Sequence, residues 1–259
     1  MSNKTISDTI RKRVCMYYDF HTHLYMYDRI EAVIEEIDDE EIFTISASVD
    51  IESYTQNKKI SCLSPLIIPT FGIHPSKAIR YENRLKELDK YISDSSIIGE
   101  IGLDYLWVNP INRDSQKNVF HYIAKKAVTQ DKYIVIHTKN AESDILDILT
   151  DLNAKKVIIH WYSGPVDLYK EYMSLGWYST FGVEAKTSTH IQRLINLTPH
   201  DRLLTETDSP VGIEWLYGNP GMPSDILDVY NSLSKITALS DIEFKNLISD
   251  NASRILQKV

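Results

Sequence analysis

Tyr17-Tyr18-Asp19-Phe20-His21-Thr22-His23, residues 17–23, is the stretch that decides the fold. Its first five residues, Tyr17–His21, form a short β-rich run and predict a strand. A doubly wound open sheet would follow its first strand with a glycine-rich phosphate loop. Here the strand runs into two histidines instead. Successive strand residues face opposite sides, so His21 and His23 share one face, with Asp19 a layer beneath.

Working outward, seven more β-rich runs follow at intervals of roughly 20 to 35 residues, the spacing of βα units. They are Phe43–Ala47, Leu66–Thr70, Ile97–Ile101, Tyr133–His137, Lys156–His160, Trp177–Phe181 and Arg202–Thr205. Amphipathic stretches lie between them: Asp28–Glu41, Glu82–Ile92, Asp114–Val128, Glu142–Leu152, Val166–Leu175 and Ile191–Leu197. Ser224–Ile236 and Asp241–Leu256 follow the last strand, the latter with Phe244, Leu247, Ile248, Ala252, Ile255 and Leu256 on one stripe. The alternation predicts an α/β fold, a parallel (β/α)8 TIM-type barrel forming a single domain over residues 17–259. Residues 1–16 read as a polar N-terminal extension.

The chain has 259 residues and is 43% hydrophobic, enough for one large core. Its net charge of −8 excludes a broad basic footprint for duplex nucleic acid. A metal site could still neutralise a phosphate locally. Cys15 and Cys62 form neither a CxxC pair nor a disulfide framework, and both read as small buried hydrophobes. The start of the chain lacks an apolar signal core, and no apolar run spans a bilayer. These features lead us to expect a soluble cytoplasmic protein with no membrane partner.

In such barrels chemistry sits at the C-terminal strand ends. Those ends carry His21 and His23, His74 after strand three, Glu100 on strand four, His137 on five, His160 on six, and Glu206 and Asp208 after eight. His121, His190 and His200 lie in or beside helical stretches and read as structural. Buried, unpaired carboxylates are costly. Gathered with imidazoles at one barrel mouth, they make sense as ligands of one or two cations.

At these residues the sequence resembles the TatD family of metal-dependent hydrolases. The matching segments, in family order, are Asp19-Phe20-His21-Thr22-His23-Leu24, Gly72-Ile73-His74-Pro75, Ile98-Gly99-Glu100-Ile101-Gly102-Leu103-Asp104-Tyr105, Ile136-His137-Thr138-Lys139-Asn140-Ala141, His160-Trp161-Tyr162-Ser163-Gly164, Glu206-Thr207-Asp208-Ser209-Pro210 and Asn251-Ala252. The resemblance implies two adjacent divalent ions, zinc, magnesium or manganese. His21, His23 and Asp208 would hold the first, His137 and His160 the second, and Glu100 would bridge them. It also implies a phosphodiesterase, a DNase acting on single-stranded or end-exposed DNA. Paired cations can bind phosphate oxygens and lower the pKa of a bridging water. Glu100 and Asp208 are then the catalytic carboxylates, Asp208 taking a proton from that water. His74 and Lys139 are the candidate substrate-binding residues, His74 also reading as a turn residue held by Pro75.

The rim departs from the family pattern. The usual Arg-Gly-rich stretch is Val211-Gly212-Ile213-Glu214-Trp215-Leu216-Tyr217, without arginine. Lys139 replaces an arginine and keeps charge without the planar fork. Gly182-Val183-Glu184-Ala185-Lys186 replaces a glycine-rich turn. Tyr105, Trp107, Trp161, Tyr162, Trp215 and Tyr217 gather there. They read chiefly as anchors of the long loops, and otherwise as stacking surfaces for bases. The altered rim keeps open a metal-dependent hydrolase of a small ester, amide or lactone. A non-catalytic barrel serving a larger complex is a third reading, against which all six ligand positions are retained.

Overall fold

The computed structural model describes residues 16–257; Cys15 and nearly all of the N-terminal extension lie outside the described residues. Eight parallel strands are present among them: β1 Tyr17–Thr22, β2 Ile42–Ser46, β3 Ile67–Pro69, β4 Ile97–Asp104, β5 Tyr133–Lys139, β6 Val157–Ile159, β7 Tyr178–Phe181 and β8 Leu203–Thr205. The ladders run β1-β2-β3 and β4-β5-β6-β7-β8. Two seams close them into a (β/α)8 barrel. Phe71 bridges to Ile98, and the Gly99 and Glu100 amides donate to Phe71 O at 2.8 Å and Ser48 O at 3.0 Å. On the other side the Thr205 hydroxyl donates to Tyr18 O at 2.5 Å, and the Asp208 amide to His21 O at 2.9 Å.

The strands are built from β-branched residues such as Ile45, Ile98, Ile101, Ile134, Ile136 and Ile158, all essentially buried against the barrel interior or the helix layer. Such side chains lose little freedom on a pleated surface. The helices α1 Ile30–Asp39, α2 Ile51–Ile60, α3 Asp89–Asp94, α4 Arg113–Thr129, α5 Glu142–Asp151, α6 Val166–Ser174 and α7 Thr189–Leu197 lie between strands. After β8 come α8 Val211–Tyr217, α9 Asp225–Ile236 and α10 Asp241–Leu256. Ser240 and Glu243 cap α10 reciprocally. Asn251 on α10 donates to the backbone carbonyls of His200 and Leu203, which pins α10 beneath β8.

Four expectations need correction. The stretch Glu82–Ile92 is not one helix: Leu85–Leu88 is a 3-10 turn leading into α3. Its apolar spacing of three suits the 3-10 period as well as the α period. The helix α2 is not evident from hydrophobic periodicity. Its buried face is Ser53, Tyr54, Asn57 and Ile60, half of it polar, with Asn57 donating to Ala47 O and Ser48 Oγ, each at 3.0 Å. The rim helix α8 was likewise not expected. Cys62, finally, is exposed rather than buried.

Two irregularities aim the site. Between Asp19 and Thr22 on β1, and between Ile98 and Ile101 on β4, two residues on one strand face one on the partner. Such bulges re-aim side chains. They fall at His21 and at Glu100. Close approach also fixes Gly102 on β4, whose φ is 151°. A Cβ there would overlap the carbonyl oxygen of His137 on β5. Gly102→Ala should therefore cost about 3 kcal/mol, or roughly 6–12 °C in melting temperature for a chain of this size. A thermal melt showing no change would contradict that packing.

Candidate metal centre

The C-terminal strand ends bring His21, His23, Glu100, His137, His160 and Asp208 together at the bottom of one cavity of about 860 Å³. His74 and Lys139 line the same cavity. The donor atoms sort into two sets. His23 Nε2 lies 3.1 Å and His21 Nε2 3.8 Å from Asp208 Oδ1. Glu100 Oε2 faces both imidazoles, at 3.5 Å from His21 Nε2 and 3.8 Å from His23 Nε2. Four donors tetrahedrally arranged around zinc, with bonds of about 2.0–2.1 Å, stand about 3.3–3.4 Å apart.

The other oxygen of Glu100 faces the second set. Oε1 is 2.7 Å from His137 Nδ1 and 3.9 Å from both His74 Nε2 and His160 Nε2. His74, Glu100 and His137 form one close ligand group, while His160 stacks on His21 and groups with it and Glu206. Glu100 thus stands between the sets with one oxygen toward each.

Deeper carboxylates orient the imidazoles. His160 Nδ1 is 2.7 Å from Glu206 Oε2, so it donates there and leaves Nε2 free to face the cavity. Glu206 Oε1 also accepts from the Trp161 amide at 3.0 Å. His137 Nε2 is 3.1 Å from Asp104 Oδ2, which leaves Nδ1 toward Glu100. Asp19 accepts from the His21 amide and from the Thr207 amide and hydroxyl, tying β1 to the segment after β8.

Burial sets the electrostatics. It pushes the Glu206 carboxyl up to about 8 and Asp19 up to about 7. For His137 burial works downward, but Asp104 and Glu100 outweigh it and carry the imidazole up to about 9. Both nitrogens of the fully buried His21, and Oδ1 of Asp208, have no hydrogen-bond partner. Orphaned buried donors and acceptors are costly, and His21 Nε2 and Asp208 Oδ1 lie 3.8 Å apart. The cluster is therefore able to bind a metal ion, and the donor set fits one.

His74 sits at the edge. Its Nδ1 accepts from the Ser76 amide at 3.2 Å, so Nε2 carries the proton and points toward Glu100 Oε1, 3.9 Å away. Burial holds it neutral by pushing its pKa down to about 3. Both sequence readings of His74 are thus met in part: it caps the 3-10 turn Pro75–Arg80 and still presents an N–H to the cavity. Lys139 is 8% exposed, and its ammonium donates to Trp161 O and Ser163 Oγ, each at 3.0 Å.

Asp104 was part of a sequence motif but drew no role, and Glu206 drew only a place among the strand-end carboxylates, since spacing does not say which imidazole a carboxylate touches. Outer partners of this kind set ligand orientation and affinity. Glu206→Ala should weaken metal affinity about 10- to 100-fold, measured by competition with a chromophoric chelator. Unchanged affinity would remove Glu206 from the site.

A barrel whose mouth gathers imidazoles and carboxylates in this way defines the class of metal-dependent hydrolases. A sequence model of the family described as "TatD related DNase" matches residues 18–257, and the chain belongs to that family. It is 29% identical over 255 residues to YabD of Bacillus subtilis (strain 168), an uncharacterized metal-dependent hydrolase, covering 93% of this chain and 99% of that one. Among solved structures, YjjV, a TatD homolog from Escherichia coli K12, superposes with a TM-score of 0.85 at 18% identity, covering 93% and 98% of the two chains. The phosphotriesterase homology protein of Escherichia coli, which holds phosphate in its active site, shares the fold at a TM-score of 0.65 and 14% identity, over 90% and 97% of the chains.

Proposed function

We propose that this chain hydrolyses phosphodiesters with two divalent cations, DNA with a single-stranded or exposed end being the substrate to test first. The observation that carries the reading is Glu100, with one carboxylate oxygen toward each donor set. The family description names a DNase, and a barrel of the same fold holds phosphate in its active site. His21, His23 and Asp208 would hold one ion, His137 and His160 the other, with Glu100 between them. Zinc, manganese and magnesium are the candidates. Bound there, the ions would supply Lewis acidity and a water of lowered pKa.

The chain's own residues do the rest. Asp208 is held below the usual carboxylate range, because His23, His160 and His21 outweigh the upward push of its burial. It is ionised and ready to accept a proton. His74 Nε2–H donates to a non-bridging phosphate oxygen. Lys139, expected to bind substrate, gives two of its three donors to the segment that carries Trp161 and Ser163. We assign it to positioning that segment.

A second reading draws support from the cavity wall. Leu106, Trp107, Trp161, Val211 and Trp215 are apolar and would suit a small ester, amide or lactone. Both readings are tested with chelator-stripped protein reloaded with zinc, manganese or magnesium. It is assayed on a single-stranded oligonucleotide beside a panel of small esters and lactones. The phosphodiesterase reading expects cation-dependent release of nucleotides. Turnover of the small esters or lactones, with the oligonucleotide left intact, would contradict it.

No helix among the described residues is long and apolar enough to cross a membrane.

A further inference from the structure

A ladder of indole rings leads from the metal centre to the cavity mouth. The His160 ring adjoins Trp161 at 6.3 Å between centroids, Trp161 adjoins Trp215 at 6.3 Å, and Trp215 adjoins Trp107 at 6.2 Å. The outer two are not loop anchors: Trp107 is 59% exposed and Trp215 67% exposed. By contrast, Tyr162 is buried and Tyr105 is tied to Asp144, so these two do anchor. Indoles left bare beside a metal centre leave apolar faces that a ligand could cover.

The outer two indoles stand on a supported base. Lys139 Nζ lies 5.5 Å from the Trp107 ring and 5.8 Å from the Trp161 ring, while donating to Trp161 O. Glu184 accepts from Trp161 Nε1 at 2.6 Å. Both residues differ from the family pattern, and both are used to fix Trp161.

The same wall is poor in cations. Lys77 and Lys139 are the only lysines or arginines lining the cavity among the described residues, and Lys139 gives two of its three N–H donors to Trp161 O and Ser163 Oγ. A strand crossing the mouth would present several phosphates, each needing a positive partner. The wall offers instead the exposed faces of two indoles set at 63° to each other, an apolar corner that one planar ring can enter.

We propose that Trp107 and Trp215 form a stacking ledge for a single nucleobase attached to the phosphate held at the metal centre, so that the site takes one terminal nucleotide and not a tract of strand. This rests on the phosphodiesterase reading and specifies its substrate. Stacking on an aromatic ledge tolerates any base and strengthens binding without a phosphate contact.

The test is calorimetric binding to the metal-loaded protein, with inorganic phosphate, ribose 5-phosphate and adenosine 5′-monophosphate as probes. Adenosine 5′-monophosphate should bind about 5- to 150-fold more tightly than ribose 5-phosphate. In the Trp107→Ala/Trp215→Ala double variant that ratio should fall to about 2 or less, with phosphate affinity unchanged. Both positions are exposed, so the fold should be retained, which circular dichroism checks. A single strand of about twenty nucleotides should bind no more tightly per end than a dinucleotide, with a salt slope near −0.7, the value for one phosphate contact. A ratio near one in the wild type, a ratio that survives the double substitution, or a steep salt slope overturns the ledge. If inorganic phosphate and every phosphorylated probe fail to bind, the phosphodiesterase reading falls, and the ledge with it.

Discussion

Glu100→Gln should lower the hydrolytic rate by at least about 1,000-fold, equivalent to a loss of about 4 kcal/mol of transition-state stabilisation. Glu100 is buried, and burial alone would favour its neutral form. His74, His137 and His21 outweigh that and hold its carboxyl well below the ordinary range. It is therefore an anion whose two equivalent oxygens serve two sets of donors. Glutamine has nearly the same shape but only one acceptor oxygen. Its NH2 group would present two hydrogens to one of the two sets, where a cation should sit. The substitution removes one charge and reverses the polarity of one ligand atom, while leaving the packing intact. The measurement is the rate of cation-dependent release of nucleotides, with circular dichroism and metal content as controls. A variant within about tenfold of wild type would contradict the bridging role.

Cation loading should also stabilise the fold by a wide margin. His21 carries two unpartnered nitrogens, and Asp208 Oδ1 has no aligned donor. Around them Glu100 and Asp104 add buried carboxylates to a small volume, and burial has pushed the Glu206 and Asp19 carboxyls up. A cation satisfies the orphans and offsets the like charges together. An ion at a thousandfold its dissociation constant adds about 4 kcal/mol to the folded state. For a chain of this size that corresponds to roughly 8–16 °C in melting temperature. Stripping with a chelator should reverse the shift, and His21→Ala should reduce it. A melting temperature that moves by less than about 2 °C on saturation would show that the orphaned atoms do not bind the ion.

Much of this was legible in the sequence because barrel strands are short, apolar and end in chemistry. A histidine or glutamate at the end of an isoleucine-rich run stands out, and Glu100, His137 and His160 are found there. Other features need atoms from distant segments. The bulges at His21 and Glu100 are mismatches between two strands, invisible in either strand alone. Asp104 and Glu206 lie inside recognisable motifs, yet their partners are 33 and 46 residues away. Helix α2 hides because Asn57, a polar residue, is buried with its amide donors satisfied. Lys139 could be identified as a cation, but that two of its three donors hold Trp161 O and Ser163 Oγ follows only from the fold. For Trp107 and Trp215, sequence pointed to buried anchors, and the fold leaves them bare.

The central claim is that six side chains from five strand ends divide into two cation positions on either side of Glu100. The most direct test is a crystal of the protein grown with manganese or zinc and measured at that metal's absorption edge. The account predicts two anomalous peaks, one among His21, His23 and Asp208, the other beside His137 and His160, each with an oxygen of Glu100 as ligand. A single peak, or peaks that do not share Glu100, would contradict it.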